Sequence, residues 1–188
     1  MKTENKWNFR VLRFSSIDST NEEVIRRARA GEAERLVVMA DHQTVGRGRE
    51  GRKWESPAGK NLYLSFLLRP NRPPSDAVKI TPKIAFVVED LLRQYIADGL
   101  RIKAPNDLLI HDKKVAGILC EMSSEGERIR WVVCGVGINV NTDLDDFSPE
   151  VRNTATSLKI ETGKTFDREK ILDKLLEKMM ALQGDLCG

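Results

Sequence analysis

Residues 62–68, Leu-Tyr-Leu-Ser-Phe-Leu-Leu, constrain the fold of this chain more than any other segment. Leu62, Leu64, Phe66 and Leu68 alternate with Tyr63, Ser65 and Leu67, and that period of two predicts a β-strand with a strongly apolar face. The strand is entered from a stretch of opposite character, Gly46-Arg47-Gly48-Arg49-Glu50-Gly51-Arg52-Lys53-Trp54-Glu55-Ser56-Pro57. From Arg47 to Lys60 there are five cations (Arg47, Arg49, Arg52, Lys53, Lys60) and two anions (Glu50, Glu55). Those 14 residues sum to +3, the formal net charge of all 188. The positive field therefore sits in one glycine-rich loop on a neutral body. A focused loop suits a compact anion such as a nucleotide phosphate. DNA usually meets a broad basic face or stripe instead, so a nucleic-acid partner is not expected.

The remaining pattern predicts a mixed α/β (α+β) domain. Ser19-Thr20-Asn21-Glu22-Glu23 reads as a helix start, with Thr20 and Glu23 in capping-box spacing and Gly31 as the stop. Val24, Ile25 and Ala28 would face the core, and Leu36–Ala40 would form a buried strand. Residues 78–97 read as a helix with a buried stripe at Ala85, Val88, Leu92 and Ile96, and Pro82 belongs in its first turn or kinks it. Further strands are expected at Leu108–Ile110, Val115–Glu121 and Arg130–Val136, the first two joined by a tight turn at His111-Asp112-Lys113. A last helix is expected from about Asp167 to Leu182. The simplest architecture is one mixed sheet covered by helices, with the sheet on one side and the helices on the other.

Composition excludes several classes. With 40% hydrophobic and 31% charged residues the chain is globular, and no apolar run reaches the roughly 18–20 residues that span a bilayer. Residues 1–7 hold no apolar signal core, so a cytoplasmic protein without a membrane partner is expected. Cys120, Cys134 and Cys187 form no CxxC pair and are expected to be thiols, not disulfide or zinc ligands.

Three segments carry chemistry. In the basic loop, glycines let backbone N–H groups approach phosphate oxygens, interleaved arginines add forked donors, and Trp54 offers an aromatic plane. The loop is not a P-loop, because GxxxxGK[ST] spacing is absent from the sequence. A solvated flexible loop or an RGG-like segment remains the plainer reading. The second segment is Lys103-Ala104-Pro105-Asn106-Asp107 with Lys114-Val115-Ala116-Gly117-Ile118, which reads as an anion pocket or an Asx-type turn. The third, Cys134-Gly135-Val136-Gly137-Ile138-Asn139-Val140-Asn141, places two glycines in a strand, where they also mark bulges or close packing.

Together and in this order these segments resemble the biotin protein ligase family. The matching residues are Asp18-Ser19-Thr20-Asn21, Gln43 with the GRGRxGRxW stretch, and Ser56-Pro57-x-Gly59-x-Asn61-Leu62. They continue with Lys103-x-Pro105-Asn106-Asp107-Leu108, Lys114-x-Ala116-Gly117-Ile118-Leu119 and Gly135-x-Gly137-Ile138-Asn139-x-Asn141, over about residues 12 to 158. The resemblance implies a catalytic domain over residues 1–188 with the class II aminoacyl-tRNA-synthetase-like fold. It implies neither the winged helix of bifunctional members, and so no repressor role, nor the small C-terminal SH3-like module. Ala104 stands where the family normally has Trp, which loosens one wall of the site.

By the same resemblance, the chain would activate biotin with ATP and Mg²⁺ as biotinyl-5′-AMP, then acylate a lysine of biotin carboxyl carrier protein. A homodimer is compatible with it. Ser19, Thr20, Asn21, Gln43, Gly46, Arg47, Lys114, Gly117 and Gly135 would surround biotin. Arg47, Gly48, Arg49, Arg52, Trp54, Lys103, Asn106 and Asn139 would hold the adenylate. Lys114, Lys103, Arg47 and Arg49 would carry the catalytic charge, and Asp107 is a candidate metal contact. His42 and His111 have no partner motif and are read as structural. A lipoate or octanoyl transferase shares the fold and the acyl-to-lysine logic, and a non-catalytic biotin-binding module is the alternative from another class.

Overall fold

The computed structural model describes residues 3–4 and 8–187, with the side chains of Thr3, Glu4, Asp185 and Cys187 left outside the described residues. Eight strands form one sheet: β1 Thr3–Glu4, β2 Arg10–Phe14, β3 Leu36–Ala40, β4 Leu62–Leu68, β5 Leu100–Lys103, β6 Asp107–Ile110, β7 Lys113–Glu125 and β8 Arg128–Ile138. Their order is β1-β2-β3-β4-β8-β7-β6-β5. The β2–β3 pair is parallel and the other pairs are antiparallel, so the sheet is mixed. A parallel pair needs a crossover, and helix α1 (Thr20–Arg29) supplies it.

Every residue of β4 is buried, which the period-two reading of one apolar face did not anticipate. The reason is that helices cover both faces of the sheet, a correction to the one-sided architecture. Leu62, Leu64, Phe66 and Leu68 join a core with helix α2 (Ile80–Leu92) and helix α4 (Arg168–Cys187), which follows the short helix α3 (Leu158–Thr162) in the chain. On the opposite face Leu67 packs with Leu36, Val38, Trp131 and Val133 against Val24, Ile25 and Ala28 of α1. Tyr63 and Ser65 share that second face by alternation.

Other boundaries shift for local reasons. Helix α2 starts at Ile80, so Pro82 falls in the first turn, where its missing N–H costs nothing. It ends at Leu92, yet Ile96 remains buried. The β6–β7 turn places His111 and Asp112 at φ 46° and 69°, the left-handed pair of a two-residue hairpin. Helix α1 stops before Gly31 at φ 87°, as expected. Its capping box does not form: Ser19 is the N-cap without a side-chain cap bond, and Glu23 pairs with Arg26 and Arg27. The Thr20 hydroxyl is engaged elsewhere, with Ser65. Strand β2 carried too little apolar signal to be read, since only Val11 among its five residues is buried.

Cys120 and Cys134 face each other across β7 and β8 with sulfurs 3.4 Å apart and are thiols. The side chain of Cys187 lies outside the described residues. Both histidine rings have neighbours: His42 Nδ1 lies 2.6 Å from the Ser56 carbonyl, and the His111 ring lies over Gly99, where a Cβ would overlap it. No helix among the described residues is long and apolar enough to cross a membrane.

Candidate active site

The α1 face of β4, β7 and β8 is open beyond the end of α1, and the basic loop folds over that opening. The loop is closed on itself by Trp54 N–H to Gly46 O (2.9 Å), Gly48 N–H to Arg52 O (2.6 Å) and a short 3-10 turn at Arg49–Gly51. Two adjoining pockets result. The narrow one has a volume of about 50 Å³ and is walled by Ser19, Thr20, Asn21 and Gln43, with Gly117, Gly135 and Gly137 on its floor. Arg47 lies at its rim. The wider one, about 420 Å³, is lined by Arg52, Lys103, Asp107 and Asn139, and by Phe147, Val151 and Ala155. Gly48, Arg49, Trp54, Asn106 and Lys114 line both.

Lys114 holds the junction. Its Nζ lies 2.8 Å from Asp107 Oδ1 and 5.2 Å from the centre of the Trp54 ring. Its backbone is fixed by residues 154–156: the Lys114 N–H donates to Thr154 O at 2.7 Å and its carbonyl accepts from Thr156 N–H at 2.9 Å. Asn139 braces the same strap, donating from Nδ2 to Thr156 O at 2.9 Å.

Trp54 lies flat on the floor. A Cβ on Gly117 would come within 2.9 Å of its ring, and one on Gly137 within 2.7 Å. A Cβ on Gly135 would overlap the Asn21 amide. The room these glycines leave is thus occupied by side chains of the protein itself. Trp54 Nε1 is buried with no hydrogen-bond partner among the described residues. An unanswered buried donor costs about 1–3 kcal/mol.

The walls are held by polar contacts. Asn21 Nδ2 donates to Leu119 O (3.2 Å) and to Glu121 Oε2 (2.8 Å). The Thr20 N–H donates to Gln43 Oε1 at 2.9 Å, and Gln43 Nε2 donates to Ser56 Oγ at 3.2 Å. Arg26 beside Asp18, next to this helix end, holds the Asp18 carboxyl down to about 2. Burial pushes the Tyr63 hydroxyl well above its usual range.

The sequence-predicted residues do not all meet at one wall. Gly46 lines neither pocket; a Cβ there would meet the Trp54 carbonyl and Ser56, so its lack of a side chain lets the loop close. Arg47 pairs with the carboxylates of Glu22 and Glu121. Arg49 Nη1 donates to Asn106 Oδ1 at 2.9 Å, while Arg52 is exposed beside Glu50. Asp107 is taken up by Lys114, and no cluster of three metal-ligating side chains occurs among the described residues. Sequence reading assigned no site role to Glu22, Glu121 or Ser65, and it quoted Gly137 in its motif without placing it in the site. Of the first three, Ser65 alone carried a signal, as the one non-aromatic polar residue in an apolar strand.

The model of the Biotin/lipoate A/B protein ligase family matches residues 12–139. The chain is 39% identical over 160 residues to the bifunctional ligase/repressor BirA of Bacillus spizizenii, covering 85% of this chain and 49% of that protein. It is 36% identical over 172 residues to the biotin–[acetyl-CoA-carboxylase] ligase of Paracoccus denitrificans, covering 90% of this chain and 71% of that one. The biotin protein ligase of Aquifex aeolicus, solved in complex with biotin and ATP, superposes with a TM-score of 0.76 at 32% identity, over 92% of this chain and 69% of that chain. The chain spans about half the length of the BirA proteins it matches.

Proposed function

The chain belongs to the biotin/lipoate A/B protein ligase family, and from that premise we propose that it joins biotin to AMP and passes the biotinyl group to a lysine of a biotin carboxyl carrier protein. The observation that carries this reading is the position of Lys114, a cation at the one junction between a narrow polar pocket and a wider, cation-lined one. A two-part substrate whose reacting bond lies between its parts fits that layout.

In the first step a carboxylate oxygen of biotin attacks the α-phosphorus of ATP, the bond to the bridging oxygen breaks, and pyrophosphate leaves. In the second, the carrier's lysine, as the neutral amine, attacks the acyl carbon, the carbon–oxygen bond to phosphate breaks, AMP leaves, and the new amide nitrogen gives up one proton to solvent. Both steps move negative charge across the junction, so fixed cations aimed there lower the barrier most. Lys114 serves the transferring oxygen, with Arg49 and Lys103 on the phosphate side. Ser19, Thr20, Asn21 and Gln43 hold the ring of biotin. Leu109, Phe147 and Val151 supply apolar walls for the base of ATP. A volume of about 50 Å³ admits only a few waters, so biotin enters by moving the Trp54 indole off Gly117 and Gly137.

Magnesium in this reading arrives with the triphosphate. The donor set suits that role, since Asp107, Glu55 and Asp112 are carboxylates on the wider wall and none is joined by the further ligands of a resident site. The ion would supply charge neutralisation, and Asp107, which otherwise pairs with Lys114, is the residue that would hold it in this reading.

The test is exchange of labelled pyrophosphate into ATP. Exchange that depends on biotin, and not on lipoate or octanoate, is expected. Exchange with lipoate alone moves the activity to the sister branch of the family. Biotin binding without exchange identifies a binding module.

A further inference from the structure

Behind the wall of the narrow pocket, Ser65 Oγ lies 2.8 Å from Thr20 Oγ1 and 2.6 Å from Asn21 Oδ1. Ser65 is fully buried and does not line the pocket, whereas Thr20 and Asn21 do. Two hydroxyl protons serve three oxygen–oxygen contacts in this cluster, and the two shortest contacts decide where they go. The Leu119 carbonyl and the Glu121 carboxylate, paired with Arg47, can only accept, so the Asn21 amide must turn its Nδ2 toward them. Its Oδ1 therefore faces Ser65 and can only accept, which claims the single Ser65 hydroxyl proton. The Ser65–Thr20 contact is then carried by the Thr20 proton, donated inward. Thr20 Oγ1 also lies 3.2 Å from Gln43 Oε1, which accepts the Thr20 N–H and has a second lone pair, but the contact to Ser65 is shorter at 2.8 Å and takes the hydroxyl proton in preference.

The outcome is a wall edge made only of acceptors. Thr20 Oγ1 has spent its proton and keeps a lone pair, and Asn21 Oδ1 keeps another. Such an edge accepts N–H groups and repels a carbonyl oxygen.

We propose that Ser65 is a positioning residue that fixes the hydrogen-bond polarity of this wall and so selects a ligand presenting ring N–H groups to it. The inference rests on the function proposed above, under which those groups are the two N–H of the cyclic urea of biotin. Without the Ser65 acceptor, the Thr20 hydroxyl is left to divide its proton between the longer contact to Gln43 Oε1 and the pocket, and the wall distinguishes donor from acceptor less sharply.

The experiment is calorimetric titration of the full chain with biotin and with the two lactams in which one or the other ring N–H is replaced by CH₂. The parent should prefer biotin over at least one lactam by about tenfold or more, because a site built around a ligand N–H rejects its isostere. In Ser65→Ala that ratio should fall below about threefold, while biotin itself binds more weakly. Ser65→Cys, which keeps a weak donor and acceptor, should give an intermediate ratio. If Ser65→Ala unfolds, Thr20→Val must show the same loss of discrimination, and an unchanged ratio there overturns the inference. A parent that binds biotin, with the same ratio in Ser65→Ala, overturns it alone. A parent that binds neither biotin nor lactam removes the proposed function itself.

Discussion

Lys113 and Lys114 are neighbours on β7 with different surroundings. Alternation sends their side chains to opposite faces, and only Lys114 meets Asp107 and Trp54 at the junction of the pockets. A cation acting on charge that develops in the transition state affects turnover more than binding. Lys114→Ala should therefore fold normally and make the adenylate more slowly by about 30- to 1,000-fold, the equivalent of about 2–4 kcal/mol. Lys113→Ala, at an exposed hairpin position, should change the rate little, with a cost under about 0.5 kcal/mol. Single-turnover formation of labelled adenylate compares the two, and equal small effects would remove Lys114 from its role. At this scale the sequence showed residue types and spacing but not their partners. Arg47 could be read as a ligand contact, yet its ion pairs with Glu22 and Glu121 come from two other elements.

Strands β7 and β8 form the floor, and their glycines are explained by the side chains laid on them. Gly137 takes the Trp54 ring and Gly135 the Asn21 amide. Gly137→Ala would bring a Cβ within 2.7 Å of the indole, so the ring must lift while the strand pairing with β4 and β7 persists. The expected result is a red shift of Trp54 emission, read against a Trp54→Phe background to isolate it from Trp7 and Trp131, with thermal stability lowered by no more than about 1–3 kcal/mol. An unshifted spectrum would show that the indole does not rest on Gly137. The motif Gly135-Val136-Gly137 was legible in the sequence as close approach in a strand. That the approaching groups are Trp54 and Asn21 was not, because 83 and 114 residues separate those contact pairs in the chain.

The whole molecule places the site on one face of the sheet and the larger core on the other. Leu175 of α4 is fully buried in that core, among the β4 and α2 side chains. Leu175→Ala should cost about 2–5 kcal/mol in denaturant unfolding, with ligand affinity unchanged at 25 °C because the sheet lies between it and the pockets. A large loss of affinity without a loss of stability would contradict this division. The sequence by itself determined strands β3, β4, β6, β7 and β8, the start of α1, the stop at Gly31, the basic loop and the family motifs, because each is a local matter of period, turn chemistry or charge. Only the tertiary structure decided that helices cover both sheet faces, that Gly46 packs within the closed loop, and that the Thr20 hydroxyl meets Ser65 instead of capping a helix. Those outcomes depend on which side chains meet across the sheet, and a one-dimensional pattern carries the period of a strand but not the identity of what lies against each face.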